Sequence, residues 1–525
     1  MRPIHPDLVP YVRGYNTAKD FIEALVIERT AAGAPLAAIR DTKAQWAEAD
    51  GGAGAVDAIF TRFEDGTLRL KDTTNTLFTR TNHPNNVTDL NRVNPVEAAV
   101  ITWEGTEPSD MEILRVKFWL NPVVSAAQPR EVALWRLEIL GQVESHNPLQ
   151  GDRFDGNYTP LCEPKDVPVT SDSAGEVMFD FSDRSVRPRP KQIRPFAGGN
   201  VFISPTTLFN IYALNADGEA ASNVAMGVND AETSFASGGQ TLYRRRFTLQ
   251  TGVTPPWNSD NVPRGIPHLV IENGTYTAQT ITFSSGNLFD LGAAPTKDVE
   301  LVGITQTPSG TSVTLEVRNA ADSGWVAFTN GQFENADLGL TLIQSKKMRA
   351  TLTPNAAGNV TPTLRKLGRQ AIDRIDFSRV ATIEGYEQAF DPETHKLEIP
   401  RPRLVAVKHG PRDFSSKIEK LLAQNFINDI RVRWYVGDKA LGRSKWTHMD
   451  DFLVLDSTPR QPVIELQLVG LCALLKSLAP PFSPGTNYAP DGDQSVGSYT
   501  TLSGGGSNLY QGIDEAVADQ TDGVR

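Results

Sequence analysis

A chain of 525 residues is too long for one hydrophobic core, since cores stop growing near about 250–300 residues, so about three or four domains are expected. With 39% hydrophobic and 22% charged residues the composition is that of a globular protein, which excludes wholesale disorder. A formal net charge of −11 speaks against a general attraction to nucleic acid or an anionic membrane and leaves room only for a local basic patch.

The 42 glycines and 35 prolines are spread without a period, which points to tight turns between short strands and to a mainly β class. The N-terminal stretch Met1 to Asn16 lacks the apolar centre of a signal peptide. No run of about 18 apolar residues is present, so the expectation is a protein made in a cytoplasm without membrane insertion. Cys162 and Cys472 lie too far apart in unlike segments to suggest a disulfide framework or a zinc site, and both are expected to be buried apolar residues.

In chain order, Phe21, Ile22, Ala24, Leu25, Val26 and Ile27 after Thr17-x-x-Asp20 predict a helix that Gly33 ends, and a second helix is predicted from Pro35 to about Glu48. Residues 1–50 therefore read as an N-terminal helical arm. Strands follow at Glu97–Trp103, Met111–Leu120, Glu131–Leu140, Glu176–Phe181, Thr207–Leu214 and Thr241–Leu249, rich in β-branched and aromatic residues. So many short strands without a long helix predict a jelly-roll-like β domain over residues 51–252. Within it, Val186–Pro195 reads as an extended basic connector, either a solvated loop or a docking arm for an acidic neighbour.

The turn-rich stretch Thr251–Pro267 marks the next boundary. Strands are predicted at Thr277–Ser284, Val299–Gln306, Ser312–Val317, Trp325–Phe328 and Lys347–Leu352, making a second β-sandwich over 253–372. A small α+β domain over 373–481 carries strands at Ile375–Glu384, Arg403–Lys408, Asp429–Val436, Asp450–Asp456 and Pro462–Val469. It adds a helix capped by Ser415 or Ser416 with Glu419, and an apolar helical turn at Leu471–Leu478. Residues 482–525 read as a Gly/Ser-rich linker and C-terminal segment.

The seven histidines form no HxH, HxxxH or HExxH pair, and GxSxG, GxGxxG and the Walker loop are absent, so no cofactor, metal or nucleophile site is read. Asn215–Glu219 and Asp491–Asp493 lack full calcium-loop spacing and read as turns. The acidic pairs Asp450 with Asp451, and Glu387 with Asp391, could serve a glycosidase only across a cleft. The expectation is a non-enzyme. Trp119 and Trp135 are expected in the core; Trp325 follows the turn residues Asp322–Gly324, so its reading is divided between a core position, which is favoured, and the candidate glycan-stacking residue.

The block Leu397–Arg403, Asn425–Val436, Arg443–Trp446, Met449–Val454 and Glu465–Val469 resembles tail-tip and baseplate proteins of tailed phages, in the spacing of its tryptophans and its Phe-Leu-Val strand. Phe283–Gly292, Thr307–Arg318, Gly324-Trp325, Lys347–Ala350 and Val360–Leu364 are similar to the galactose-binding-like sandwich modules of such proteins. The stretch from Asn508 resembles the opening of a further tail module, so it either packs on a neighbouring subunit or the natural chain continues past residue 525.

The resemblance implies a structural virion component of the distal tail or baseplate. Such a protein would assemble with itself into a ring or collar and link the tail tube to host-recognition parts. The alternative is an adhesin gripping host surface glycan, with Trp325 as its stacking residue. Neither reading involves nucleic acid or a cofactor.

Overall fold

The computed structural model describes residues 19–28, 35–88, 96–103, 111–122, 132–142, 158–170, 173–189, 206–214, 216, 225–232, 234–237, 240–248, 258–259, 265–292, 298–319, 323–376, 381–386, 390–391, 396–397, 402–407, 430–438, 446–460 and 463–470. Over these the chain is antiparallel β-sheet apart from two short helices, Lys43–Trp46 and Gly52–Ile59. The mainly β class follows from the density of β-branched and aromatic runs between turns.

Two sheets of eight and seven strands, here II and III, face each other across one apolar core. Alternation builds that core. In Ile113–Asn121 the residues Val116, Phe118 and Leu120 point inward, while Arg115, Lys117 and Trp119 face out. From sheet II, Trp135, Leu137 and Ile139 meet them, with Phe209 and Ile211 of Thr206–Leu214. Trp135 is in the core as expected, at 2% exposure. Trp119 is not: it lies half-buried on the outer face across Gly227, where an added Cβ would come within 2.7 Å of its ring. Cys162 is buried at the edge of this core, and burial pushes its thiol up to about 12.

A four-stranded sheet, IV, packs on part of an eleven-stranded sheet, I, with the two helices closing one end of the sandwich. Trp46 is fully buried there and donates to Gly66 O at 2.7 Å. Gly66 has φ +79 and its Cβ position is 2.0 Å from Asp41 O, so only glycine fits. The first helix is held by a capping box between Thr42 and Gln45.

The N-terminal helical arm is corrected. Lys19–Ile27 is a strand inside sheet I, pairing Thr363–Asp376 on one side and Ile430–Gly437 on the other. It is buried on both faces, Ile22 and Ala24 toward one core and Leu25 toward another. A strand buried on both faces shows no alternation, so its apolar run looks like a buried helix turn. The second expected helix, Pro35 to about Glu48, is half right: Ala37–Arg40 is a strand paired to Leu367–Gln370, and Lys43–Trp46 within the same span is helical.

The sheets also cross the expected boundaries. Phe60–Arg62 and Leu68–Leu70 belong to sheet I, whereas Ile266–Pro267 and Leu269–Thr275 complete sheet III. The strand Thr363–Asp376 runs through 14 residues and partners strands from the N-terminal and middle thirds of the chain. The strand expected at Ile375–Glu384 is instead the end of Thr363–Asp376 and a separate strand Ala381–Glu384; the other expected strands between Val96 and Gly470 are present within a few residues. The helix near Ser415 and Glu419, the turn Leu471–Leu478 and the segment 482–525 lie outside the described residues.

In the C-terminal third, sheet I runs in the order Ala381–Glu384, Arg403–Val407, Val463–Gly470, Thr447–Arg460, Ile430–Gly437 and Lys19–Ile27. It curls so that Ala381–Glu384 returns beside Lys19–Ile27. Ile22, Leu404, Val432, Phe452, Val454, Leu466 and Leu468 fill the interior of this wrap, with Ile383 and Tyr386 against them. The result is a small barrel-like unit whose sixth strand is the N-terminal one.

Candidate functional site

Trp325 stands just before Val326–Phe328, the edge strand of sheet IV. The neighbouring strands Ser312–Asn319 and Lys346–Thr353 alternate strictly. Leu315, Val317, Met348, Ala350 and Leu352 go to the core, and Thr314, Glu316, Arg318, Lys347, Arg349 and Thr351 go to the outer face. Trp325 is half-buried and lies among the outer set rather than in the core. The guanidinium carbons of Arg318 and Arg349 are each 4.5 Å from its ring centroid.

The two arginines are held differently. Arg349 makes a two-pronged pair with Glu316 at 2.6 and 2.9 Å, and hydrogen bonding to that carboxylate raises its pKa. Arg318 has no carboxylate partner among the described residues, and its Nε is buried without a hydrogen bond. Lys347 sits directly across the ladder from it. A cation over a half-buried ring gains ~0.5–2 kcal/mol, against ~1.5–3 kcal/mol for a hydrogen bond between charged groups. Arg318 is thus available to an incoming anion. Hydroxyls extend the face, with Thr280 and Thr351 Oγ1 atoms 2.8 Å apart.

A second group of functional side chains is buried where the units join. Arg69 pairs with Glu112, and the Tyr276 hydroxyl donates to Glu112 at 2.7 Å while accepting from Arg187 at 2.8 Å. Arg187 also reaches Asp72 at 3.1 Å. Burial alone would lower the Arg187 pKa, but Tyr276, Asp72 and Glu112 together hold it above its usual value. In the described part of the basic connector, residues 186–189, Arg187 and Pro188 are therefore buried rather than solvated, while Val186 is exposed. Arg187 is 2% exposed and ties sheet I to sheet III.

At the other junction Glu300 receives Arg433, Arg431 at 2.5 Å and Gln370 at 2.5 Å. Burial works to raise its pKa, and the two guanidiniums outweigh that and hold it below its usual value. Glu334, Arg369 and Lys346 form a third, wholly buried cluster with Arg369 2.9 Å from Glu334. There burial outweighs pairing, raising the glutamate and lowering the arginine.

The tryptophans that carry the C-terminal resemblance lock the first strand in place. Trp446 stacks on Phe21 with centroids 3.8 Å apart, and Trp434 donates to Asp20 at 2.9 Å. The adjacent acidic pair divides: Asp450 accepts from Tyr386 at 3.0 Å, and Asp451 from His448 at 2.9 Å beside Arg433. The two do not share one cleft. Glu387 and the two acidic turns lie outside the described side chains.

On the outer face of sheet III, His268 is 3% exposed. Its Nδ1 is 3.1 Å from His83 Nδ1 and its Nε2 3.1 Å from Glu176. No spacing rule finds this pair, because 185 residues separate the two rings in sequence. Among the described residues no His, Cys, Asp and Glu group has the arrangement to hold a metal, and no helix is long and apolar enough to cross a membrane.

Compared with known proteins, the chain matches no family model, no curated protein and no solved structure.

Proposed function

We propose that this chain is a non-enzymatic structural component of the distal tail or baseplate of a phage-like particle, assembling with copies of itself and linking the tail tube to host-recognition parts. The observation that carries the reading is the threading of Lys19–Ile27 between Thr363–Asp376 and Ile430–Gly437. That strand makes the hub-like unit and the middle sandwich one continuous sheet, locked by Glu300 with its arginines. A load-bearing part needs such shared strands and no reactive group. The tryptophan and Phe-Leu-Val spacing of residues 425–469 adds the likeness to tail-tip proteins.

The test is light scattering and negative-stain imaging of the purified chain, with antibody labelling of particles. A closed ring or trimer, and label at the tail end, is the expected result. A stable monomer that never co-purifies with particles overturns the reading.

A further inference from the structure

The outer face of sheet IV carries three cations, Arg318, Lys347 and Arg349, against one carboxylate, Glu316, on a chain whose net charge is −11. Glu316 is taken up by Arg349. Two positive charges directly across one ladder remain without a carboxylate partner among the described residues, beside a half-buried indole. The rest of the face is hydroxyls and one alanine: threonines 280, 282, 314, 351 and 353, Ser312 and Ala327.

We infer that this face binds a carboxylated saccharide, a uronic-acid-type glycan. The apolar side of a pyranose ring lies on the Trp325 indole, the carboxylate takes Arg318 and Lys347, and the threonine hydroxyls and the Glu316–Arg349 fork meet the sugar hydroxyls. Arg318 is the residue that moves, since among the described residues its ring contact is what holds it.

Other occupants fit less well. A protein interface centres on apolar and aromatic residues and is poor in lysine and glutamate, whereas this face has one aromatic side chain among charges and hydroxyls. Nucleic acid is gripped through many phosphates, about 6–10 in a typical specific contact, and two uncompensated cations on an acidic chain fall short of that. The inference does not rest on the tail reading, because a free sugar-binding protein would present the same face.

The experiment is isothermal titration of the full-length chain with a tetrasaccharide of galacturonic acid, beside the neutral galactose tetrasaccharide. The acidic sugar is expected to bind about tenfold or more tightly than the neutral one. Arg318→Ala and, independently, Arg318→Gln should each weaken binding about tenfold, since one charge-assisted hydrogen bond is lost. Trp325→Ala should do the same for both sugars. Lys43→Ala, a cation away from this face, should change nothing. Unchanged thermal midpoints of the Arg318 variants establish that they fold.

No binding heat at millimolar tetrasaccharide overturns the inference, as does equal affinity for the neutral sugar or an Arg318 variant that binds as well as the parent. Equally tight binding of single-stranded DNA would mean a general polyanion patch, and a changed oligomeric state in the Arg318 variants would mean a face for a second copy. Either result also overturns it.

Discussion

At the level of single residues, charge buried at junctions dominates. Glu300 is 2% exposed and is the shared partner of Arg431 and Arg433. Glu300→Gln leaves Arg433, itself 5% exposed, with Asp451 at 3.4 Å as its remaining carboxylate among the described residues, and should cost on the order of 1–3 kcal/mol in denaturant unfolding. Because the folded pKa of Glu300 lies below the ordinary 4.5, its contribution is complete above that value and is lost as pH falls through the folded pKa. The acid limb of the stability curve should therefore flatten in Glu300→Gln.

His268 has the same sign at a higher pH. Burial holds its pKa below the ordinary 6.5, outweighing the opposite pull of Glu176, and His83 adds to the lowering. The unfolded chain thus takes up the proton first, and stability present above pH 6.5 declines as pH falls toward the folded pKa. Thermal midpoints at pH 7.5 and 5.5 should differ less in His268→Gln than in the parent. His83, Glu176 and Lys117, which lies 3.9 Å from Glu176, set the size of that difference.

At the level of elements, the strand Lys19–Ile27 matters most, because it is hydrogen-bonded on both sides. Proline is tolerated at sheet edges, where its missing N–H faces solvent, and not in a doubly paired strand. Ala24→Pro, between Ile375 and Val432, should cost on the order of 3 kcal/mol or more and open both neighbours to amide exchange. If exchange in Ile430–Gly437 stayed as slow as in the parent, the central role assigned to the strand would be wrong. The same double pairing explains why the strand reads as a helix: Glu, Ala and Leu are good helix formers, and tertiary pairing overrides that preference.

At the level of the whole molecule, sheets II and III form one packed unit and sheets I and IV another, joined by the network of Arg69, Glu112, Tyr276 and Arg187. Tyr276 sits at the seam, with its backbone N–H bonded to Gly358 O at 2.7 Å. Tyr276→Phe removes a hydroxyl that both donates and accepts and leaves two buried charges short of a partner, a loss of about 1–3 kcal/mol. Calorimetry should show the parent's unfolding spread into two separated transitions in the variant, as expected once coupling between units weakens. A single transition merely shifted down would mean that the apolar seam alone couples them.

What the residues determined by themselves is the local layer. Alternation along Ile113–Asn121, Ser312–Asn319 and Lys346–Thr353 dictates strands and the side each residue faces. Turn chemistry spaces them, but the side that Trp325 takes beside its turn was not legible: the sequence favours the core, and the ring lies half-buried among the outer residues. The tertiary structure alone decided which strands share a sheet, because hydrogen-bond partners such as Glu23 and Asp376 lie hundreds of residues apart and no local pattern encodes their pairing. It also decided the company each charge keeps. Arg187 looks like a solvated residue in a Pro-rich stretch and is buried against Tyr276, whereas Arg318 looks no different and rests, among the described residues, on an indole ring. Composition sets how many charges a chain has, but burial and partners, which set their energies, exist only once distant strands meet.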